Sequence, residues 1–319
     1  MAAGRARGRR TPDIRIPDLT GRRAVVTGAS DGVGLGIAQR LAAAGAHVIV
    51  PVRNHEKGAR AVERILRDAP GADVSLRDLD LGSLASVAAL GETLRGEGEP
   101  IHILINNAGV MSPPARMASA DGFELQFGVN HLGHVALTSA LLPLLRAGGA
   151  RVVSQISVAA NRRSINWDDL QWKRSYDAEH AYSQSKIALG LFGIELHRRS
   201  IANGWGIASM LSHPGVAPTD LLAARPELGR SRATRRARAI RALATRGILF
   251  GTVASAGLPA LAAATSPHAV TGGFYGPRGP ARLGGAPSEQ PLYPRLLDAA
   301  ASRRMWEESE RLTAASFPA

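Results

Sequence analysis

Short apolar runs alternate with helical stretches along this chain, and that alternation limits what it can fold into. Ala24-Val25-Val26 is the first run and His47-Val48-Ile49-Val50 the second. Others follow near 73–77, at Ile101-His102-Ile103-Leu104-Ile105, at Arg151–Ile156, near 206–211 and at Gly273-Phe274-Tyr275. Helical patterns near 35–44, 56–67, 83–94, 122–145, 179–203 and 247–264 separate them, the 122–145 stretch reading as one long helix, slightly irregular at Gly133 and Pro143. Runs that are apolar throughout suit strands buried on both faces, as in parallel sheets. Strands joined through helices build such a sheet, with helices covering both sides. The expected fold is α/β: a doubly wound parallel sheet in a single domain. No repeat of solenoid period is visible.

Composition narrows the function classes. The chain has 319 residues and is 45% hydrophobic but only 4% aromatic, so aliphatic side chains must fill the core. Cysteine is absent, which excludes disulfides, thiol catalysis and cysteine-based zinc sites. The formal charge is +13, yet only Lys57, Lys173 and Lys186 are lysines. Arginine carries nearly all the charge and no nucleic-acid recognition pattern accompanies it, so the excess reads as compositional bias and no nucleic acid is expected as partner.

Residues 1–19 read as a disordered basic arm, residues 20–280 as the domain and residues 281–319 as a C-terminal extension. The start lacks the apolar segment of a secretory signal. The stretch 247–264 is interrupted by glycines and Pro259, and is marginal in length for a membrane span. A cytoplasmic protein is expected, with peripheral membrane contact and homo-oligomer assembly left open.

The first apolar run ends in Thr27-Gly28-Ala29-Ser30-Asp31-Gly32-Val33-Gly34. Glycines let the backbone turn tightly and approach a pyrophosphate at the positive end of the following helix. The second run ends in Pro51-Val52-Arg53-Asn54, with no acid directly after the strand to bind ribose hydroxyls. Arg53 can pair with a 2′-phosphate through its planar fork, which favours NADP(H) over NAD(H). Its plainer reading is one surface arginine among many.

Tyr182 and Lys186 stand four residues apart, on one face of a helix. An ammonium beside a phenol favours the phenolate and lowers its pKa, making Tyr182 a usable acid or base. Ser157 follows the fifth run, at the strand end where ligands bind in such sheets, and could stabilise charge on a substrate carbonyl. Taken alone, Ser157 reads rather as a helix cap or turn former and Asn130 as a structural amide. His131 and His134 read as packing or capping groups rather than metal ligands. Asp168-Asp169 with Trp167 and Trp172 reads as a surface excursion near the substrate mouth.

Together these stretches resemble the short-chain dehydrogenase/reductase family. The resemblance rests on Thr27–Gly34, Asn106-Asn107-Ala108-Gly109, Asn130, Ser157, Tyr182 with Lys186, and Pro214-Gly215 followed by Thr219. Within that family the chain looks most like the retinol-dehydrogenase-like group, which includes WW-domain oxidoreductase. The pointers are Arg53 with Lys57-Gly58, Asn130-His131-Leu132-Gly133-His134, the long interval from Ser157 to Tyr182, His213-Pro214-Gly215 and the Gly272–Pro277 stretch.

The resemblance implies a Rossmann-type fold and a catalytic set of Asn130, Ser157, Tyr182 and Lys186. Tyr182 would carry the proton, Lys186 would lower its pKa and hold the nicotinamide ribose, Ser157 would orient the carbonyl, and Asn130 would hold a water linking Lys186 to solvent. Gly28, Ser30, Asp31, Gly32, Val33 and Gly34 would line the phosphate and ribose path. Asp80 and Leu81 would meet the adenine, Asn106 with Ala108 and Gly109 the adjacent ribose, and Pro214, Gly215, Val216 and Thr219 the nicotinamide end. Asn107 would bridge neighbouring strands.

One departure stands out: many NADP-preferring members carry a basic residue just before the middle glycine, where this chain has Asp31. The expected substrate is a small apolar carbonyl or alcohol, with residues 221–246 as a lid over it. The rival reading is a non-catalytic dinucleotide sensor or scaffold on the same fold.

Overall fold

The structure, a computed structural model, describes residues 12–217, 228–229 and 251–318. Strand β1 (Arg23–Val26) leads through the glycine loop into α1 (Gly32–Ala43). Then come β2 (His47–Val52), α2 (His55–Asp68), β3 (Val74–Asp78), α3 (Leu84–Glu97) and β4 (Ile103–Asn106). The second half holds α4 (Leu125–Phe127), α5 (Gly133–Ala140), α6 (Leu142–Ala147), β5 (Arg151–Gln155), α7 (Ala178–Ala202) and β6 (Ala208–Ser212). It ends with α8 (Val253–Ala256), α9 (Leu258–Thr265), β7 (Phe274–Pro277), β8 (Pro287–Gln290) and α10 (Ala299–Thr313).

The strands form one eight-stranded sheet in the order β3-β2-β1-β4-β5-β6-β7-β8. All pairings are parallel except β7 with β8. The single doubly wound α/β domain expected from the alternation is therefore what forms, with one antiparallel edge strand added. Successive side chains of a strand point to opposite faces, so β1 feeds two core layers. Val25 joins Leu104, Phe127 and Phe192 on one face, whereas Ala24 and Val26 join Ile37, Val48 and Leu261 on the other. Strand β1 has β2 on one side and β4 on the other, so the chain reverses direction across the sheet there and opens a crevice at the carboxyl ends of both strands.

The expected long helix over 122–145 is instead broken. Glu124 accepts from the amides of Gln126 and Phe127 and starts α4, a π-helical turn covers Gly128–Leu132, and a turn at Leu141 separates α5 from α6, whose first turn holds Pro143. Of the stretch expected as a helix over 247–264, residues 247–250 lie outside the described residues, and the rest divides into α8 and α9 at Gly257, with Pro259 in the first turn of α9. A Cβ on Gly257 would lie 3.0 Å from Ile37 Cγ1, so the break falls where the chain crosses α1.

The ends of the chain join the core. Ile14 and Ile16 pack against the second layer, Leu19 is buried, and Arg40 holds Asp13 and the carbonyl of Ile14. Residues 1–11, the rest of the arm expected to be disordered, lie outside the described residues. After residue 280, β8 extends the sheet and α10 lies on α7 and α5, burying Met305 and Trp306 in the first core layer. Trp306 stacks on Phe192 at 5.2 Å and meets Phe317 at 4.4 Å.

Candidate active site

The two loops at the chain reversal are pressed together. Gly28 has φ +68°, and a Cβ there would lie 2.9 Å from Ala108 Cα. A Cβ on Gly34 would overlap the Gly28 carbonyl oxygen and the Asn107 amide. The glycines are thus required by close approach as well as by turning. Thr27 pins the second loop, its hydroxyl accepting from the amides of Asn107 at 2.9 Å and Ala108 at 3.0 Å. Asn107 bridges strands, as expected: Nδ2 donates to Thr27 O at 2.8 Å, and Oδ1 accepts from Gln155 Nε2 at 2.6 Å.

At the end of β4, Asn106 is fully buried and its Oδ1 has no hydrogen-bond partner among the described residues. A buried bare acceptor is costly, and a ribose hydroxyl is the kind of donor that would satisfy it. Together with a glycine loop that has no room for a Cβ at Gly28 or Gly34, this buried acceptor fits a dinucleotide. Asp31 caps α1, accepting from Gly32 N at 2.7 Å, and also forms an ion pair with Lys57. Arg53 is exposed and makes no hydrogen bond or ion pair among the described residues. Asp80 turns its carboxylate to the Gly82 amide at 2.8 Å, and Leu81 is buried in the core.

Helix α7 carries the reactive pair. Tyr182 and Lys186 are both buried. Lys186 Nζ donates to the Gln155 carbonyl at the end of β5, at 3.0 Å. Burial pulls the ammonium pKa down to about 8. Burial pushes the Tyr182 phenol above its ordinary value, and a hydrogen bond with Ser157 opposes that rise. This corrects the expectation that Lys186 depresses the phenol. Desolvation acts on both groups, and the ammonium is turned to a backbone carbonyl. Ser157 also caps the short 3₁₀ turn Val158–Asn161, accepting from Ala159 N at 3.2 Å, so its reading as a cap is realised.

Asn130 lies in the π-helical turn, an insertion often found at functional sites. Its side chain is fully engaged: Oδ1 accepts from Val110 N at 2.7 Å, and Nδ2 donates to Val110 O and Ser185 Oγ, both at 2.9 Å. Ser185 in turn donates to the Tyr182 carbonyl at 2.8 Å. The Asn130 carbonyl meets His134 Nδ1 at 3.0 Å, whose Nε2 lies 3.0 Å from the Thr27 hydroxyl. A Cβ on Gly109 would lie 3.1 Å from Asn130 Oδ1 and 3.5 Å from Lys186 Nζ, so Asn130, Lys186 and the β4 loop converge on one point.

Sequence reasoning missed Ser185, Gln155 and Thr27 as members of this network. The only signal for Ser185 was a small hydroxyl three residues after Tyr182. His131, by contrast, is a core group, packed at a tilt against Phe127 at 5.1 Å between ring centres and bonded to Ser309 Oγ at 2.7 Å.

Beyond the reactive pair, the segment between Ser157 and Tyr182 is tied to the loop after β4. Tyr176 donates to Pro113 O at 3.1 Å, and Arg116 Nε to Gln171 O at 2.8 Å. Asp169 accepts from the amides of Lys173 and Arg174, closing a turn. At the other end of the crevice Gly215 has φ +72°, and Val216 N donates to Leu283 O at 2.9 Å. Pro214, Gly215 and Val216 are thus braced by the segment leading to β8. Thr219, and residues 221–246 apart from 228 and 229, lie outside the described residues; a Cβ on Gly229 would sit 3.6 Å from Pro114.

Comparisons with known proteins agree with this frame. Residues 22–228 match the short chain dehydrogenase family, and the chain belongs to it. It is similar to retinol dehydrogenase 13 of Homo sapiens, 42% identical over 205 residues, which are 64% of this chain and 61% of that protein. The match therefore spans less than two thirds of the relative's own length. Among solved structures, an uncharacterized protein from Mycobacterium Paratuberculosis superposes with a TM-score of 0.76 at 33% identity, covering 95% of this chain and 97% of the other. A structure described as an NAD(P) dependent gluconate 5-dehydrogenase from Beutenbergia cavernae, with bound NADP at low occupancy, has a TM-score of 0.58 at 26% identity, covering 78% and 91%.

Proposed function

We propose that this protein is an NADP(H)-dependent oxidoreductase that interconverts an apolar carbonyl compound and its alcohol. The observation that carries the reading is the buried Tyr182 with its Ser157 hydrogen bond, on the helix turn above Lys186 and beside the dinucleotide crevice. A bound nicotinamide would supply or take up the hydride. Ser157 would donate a hydrogen bond to the carbonyl oxygen and stabilise its developing charge. Tyr182, protonated in the resting site, would give its proton to that oxygen in reduction and take one up in oxidation. Lys186 would hold the nicotinamide ribose. Asn130 would fix the β4 loop and, through Ser185, the helix turn of Tyr182.

The apolar substrate class is supported by similarity to a retinol dehydrogenase. NADP(H) is supported by the exposed Arg53, which has no ion-pair partner among the described residues, and by the NADP-containing structural relative. The rival sensor reading gives no use to a buried lysine and tyrosine together. An assay of apolar aldehydes, ketones and alcohols with NADPH, NADH and their oxidised forms, followed by absorbance, tests the activity directly. No turnover across the panel, with dinucleotide still bound, would favour the sensor.

Arg53→Ala is expected to weaken NADPH much more than NADH. A charge-assisted pair contributes about 1.5–3 kcal/mol, so the loss should be roughly tenfold to hundredfold. Equal losses in a binding titration would remove Arg53 as the phosphate anchor.

Among the described residues no helix is long and apolar enough to cross a membrane. The sequence of 221–246 carries seven arginines from Arg230 to Arg246. We read this segment as the substrate lid and as the part that meets an anionic membrane surface, each arginine near the surface adding roughly 1 kcal/mol. Co-sedimentation with vesicles should then require anionic lipid, weaken with salt, and vanish when Arg235, Arg236 and Arg238 become Gln. Equal sedimentation by both proteins would remove the membrane role and leave the oxidoreductase reading intact.

A further inference from the structure

Among the buried groups that the proposed chemistry does not use, His213 stands at the carboxyl end of β6, directly after the strand. Its backbone amide extends the sheet, donating to the Tyr275 carbonyl at 2.9 Å. Its ring turns back onto its own chain, where Nδ1 accepts from the Gly215 amide at 3.1 Å. An acceptor at Nδ1 places the proton of the neutral ring on Nε2. That second nitrogen has no hydrogen-bond partner among the described residues. It lies against β7, where a Cβ on Gly276 would overlap it.

Folding alone gives little reason for an imidazole here. Phe274 and Tyr293 lie 5.4 and 6.1 Å away between ring centres, surroundings that suit an apolar side chain. A buried N–H without an acceptor costs free energy. Burial also pulls the ring's pKa down to about 4, so Nδ1 keeps its lone pair at neutral pH.

What the ring does is hold one peptide. The Pro214–Gly215 peptide is trans, so its N–H and C=O point opposite ways. With the N–H drawn to the ring, the Pro214 carbonyl is turned away from it and accepts no hydrogen bond from a described residue. Gly215, at φ +72°, has the backbone freedom to let this peptide swing. From the other side the Leu283 carbonyl presses on it, 2.5 Å from where a Cβ would stand. That carbonyl comes from a turn in which Ala281 and Arg282 have φ +50° and +56°. Such backbone costs free energy in non-glycine residues and clusters at functional sites.

We infer that His213 is a positioning residue for the nicotinamide end of the cofactor: its Nδ1 holds the Pro214–Gly215 peptide in the orientation that presents the Pro214 carbonyl to the ligand. The inference rests on the reading of Pro214–Val216 as the nicotinamide end. A carboxamide N–H is the donor chemistry such a carbonyl takes. Without the Nδ1 acceptor the glycine peptide is free to turn over, while the adenosine half of the ligand, at the other end of the crevice, is untouched.

The test is calorimetric binding of NADPH and of adenosine 2′,5′-bisphosphate, which lacks the nicotinamide, to the full chain and to His213→Leu, His213→Asn and His213→Gln. The side-chain oxygen of Asn can stand near the Nδ1 position and that of Gln near Nε2, so the two separate the nitrogens. His213→Leu should weaken NADPH about tenfold, the scale of one lost hydrogen bond, and leave the bisphosphate unchanged. The fluorescence anisotropy of bound NADPH should fall with it, because the dihydronicotinamide is the emitting group. His213→Asn should return both to near the parent, and His213→Gln should not. If the leucine variant does not fold, the contrast between Asn and Gln decides alone. Equal weakening of both ligands, unchanged NADPH binding in His213→Leu, or a Gln variant as good as Asn overturns the inference and leaves His213 a core group. Failure of the parent protein to bind NADPH or the bisphosphate overturns the dinucleotide reading itself.

Discussion

Tyr182→Phe should keep dinucleotide binding and lose turnover by at least about a hundredfold, the scale of general acid–base catalysis. The substitution removes one hydroxyl from a buried ring and nothing that shapes the dinucleotide crevice. The Ser185 bond to the Tyr182 carbonyl is a backbone contact and survives the change. Ser157 would keep its cap on the 3₁₀ turn and remain beside the carbonyl. What disappears is the proton. Turnover in a steady-state assay, with NADPH affinity measured separately, distinguishes this from unfolding or loss of binding. Near-parental turnover with a good substrate would show that the proton comes from elsewhere. Lys186→Ala should damage both quantities, because the ammonium both braces the β5 end and faces the loop that would carry the ribose.

The protein should also lose stability steeply on mild acidification. His131 and His134 are fully buried, and burial pulls both to about 3 from an ordinary 6.5. In the unfolded chain they titrate near 6.5, so above that pH both states are neutral and the stability is complete. As pH falls below 6.5 the unfolded state takes up protons that the native state refuses, and stability is lost progressively until about 3. Each histidine costs roughly 1.4 kcal/mol per pH unit, so the two together should remove about 4 kcal/mol by about pH 5. That is a large share of a typical folding free energy of about 5–15 kcal/mol. His213, brought down to about 4 by burial, adds in the same direction. Urea midpoints measured from pH 7.5 to 5 would give the slope, and a flat profile would mean that the histidines are not held neutral in the native state. His131→Asn should flatten part of the slope.

Much of the fold and the order of the site was legible because it depends on local signals. Unbroken apolar runs gave the parallel strands, and glycines at Gly28 and Gly34 mark a backbone approach that no other residue permits. Spacing put Tyr182 and Lys186 on one helix face. What was not legible depends on tertiary context. The π-helical turn around Asn130 leaves no mark in an apolar pattern that reads as one helix. Strand β8 is Pro-Ser-Glu-Gln, polar because it is an edge, and no periodicity announces it. The direction of the Tyr182 shift depends on how deeply the phenol is buried, which spacing does not report. Lys57 was visible as a residue but not as a partner of Asp31, because 26 positions separate them in sequence and only the packing of α2 on the sheet brings them together.

The seating of α10 has a consequence for the order in which the chain can fold. His131 reaches its hydrogen-bond partner Ser309 across 178 positions of sequence. Phe192 likewise waits for Trp306 and Phe317 to cover it. A nascent chain leaves the ribosome with its amino-terminal part first, so the sheet can assemble as far as β6 while the outer faces of α5 and α7 are still uncovered. Contacts this distant in sequence form slowly, and the interval before they close is when a partly folded chain aggregates or is held by a chaperone. In this protein the hazardous interval is set by one aromatic face and ends when α10 docks.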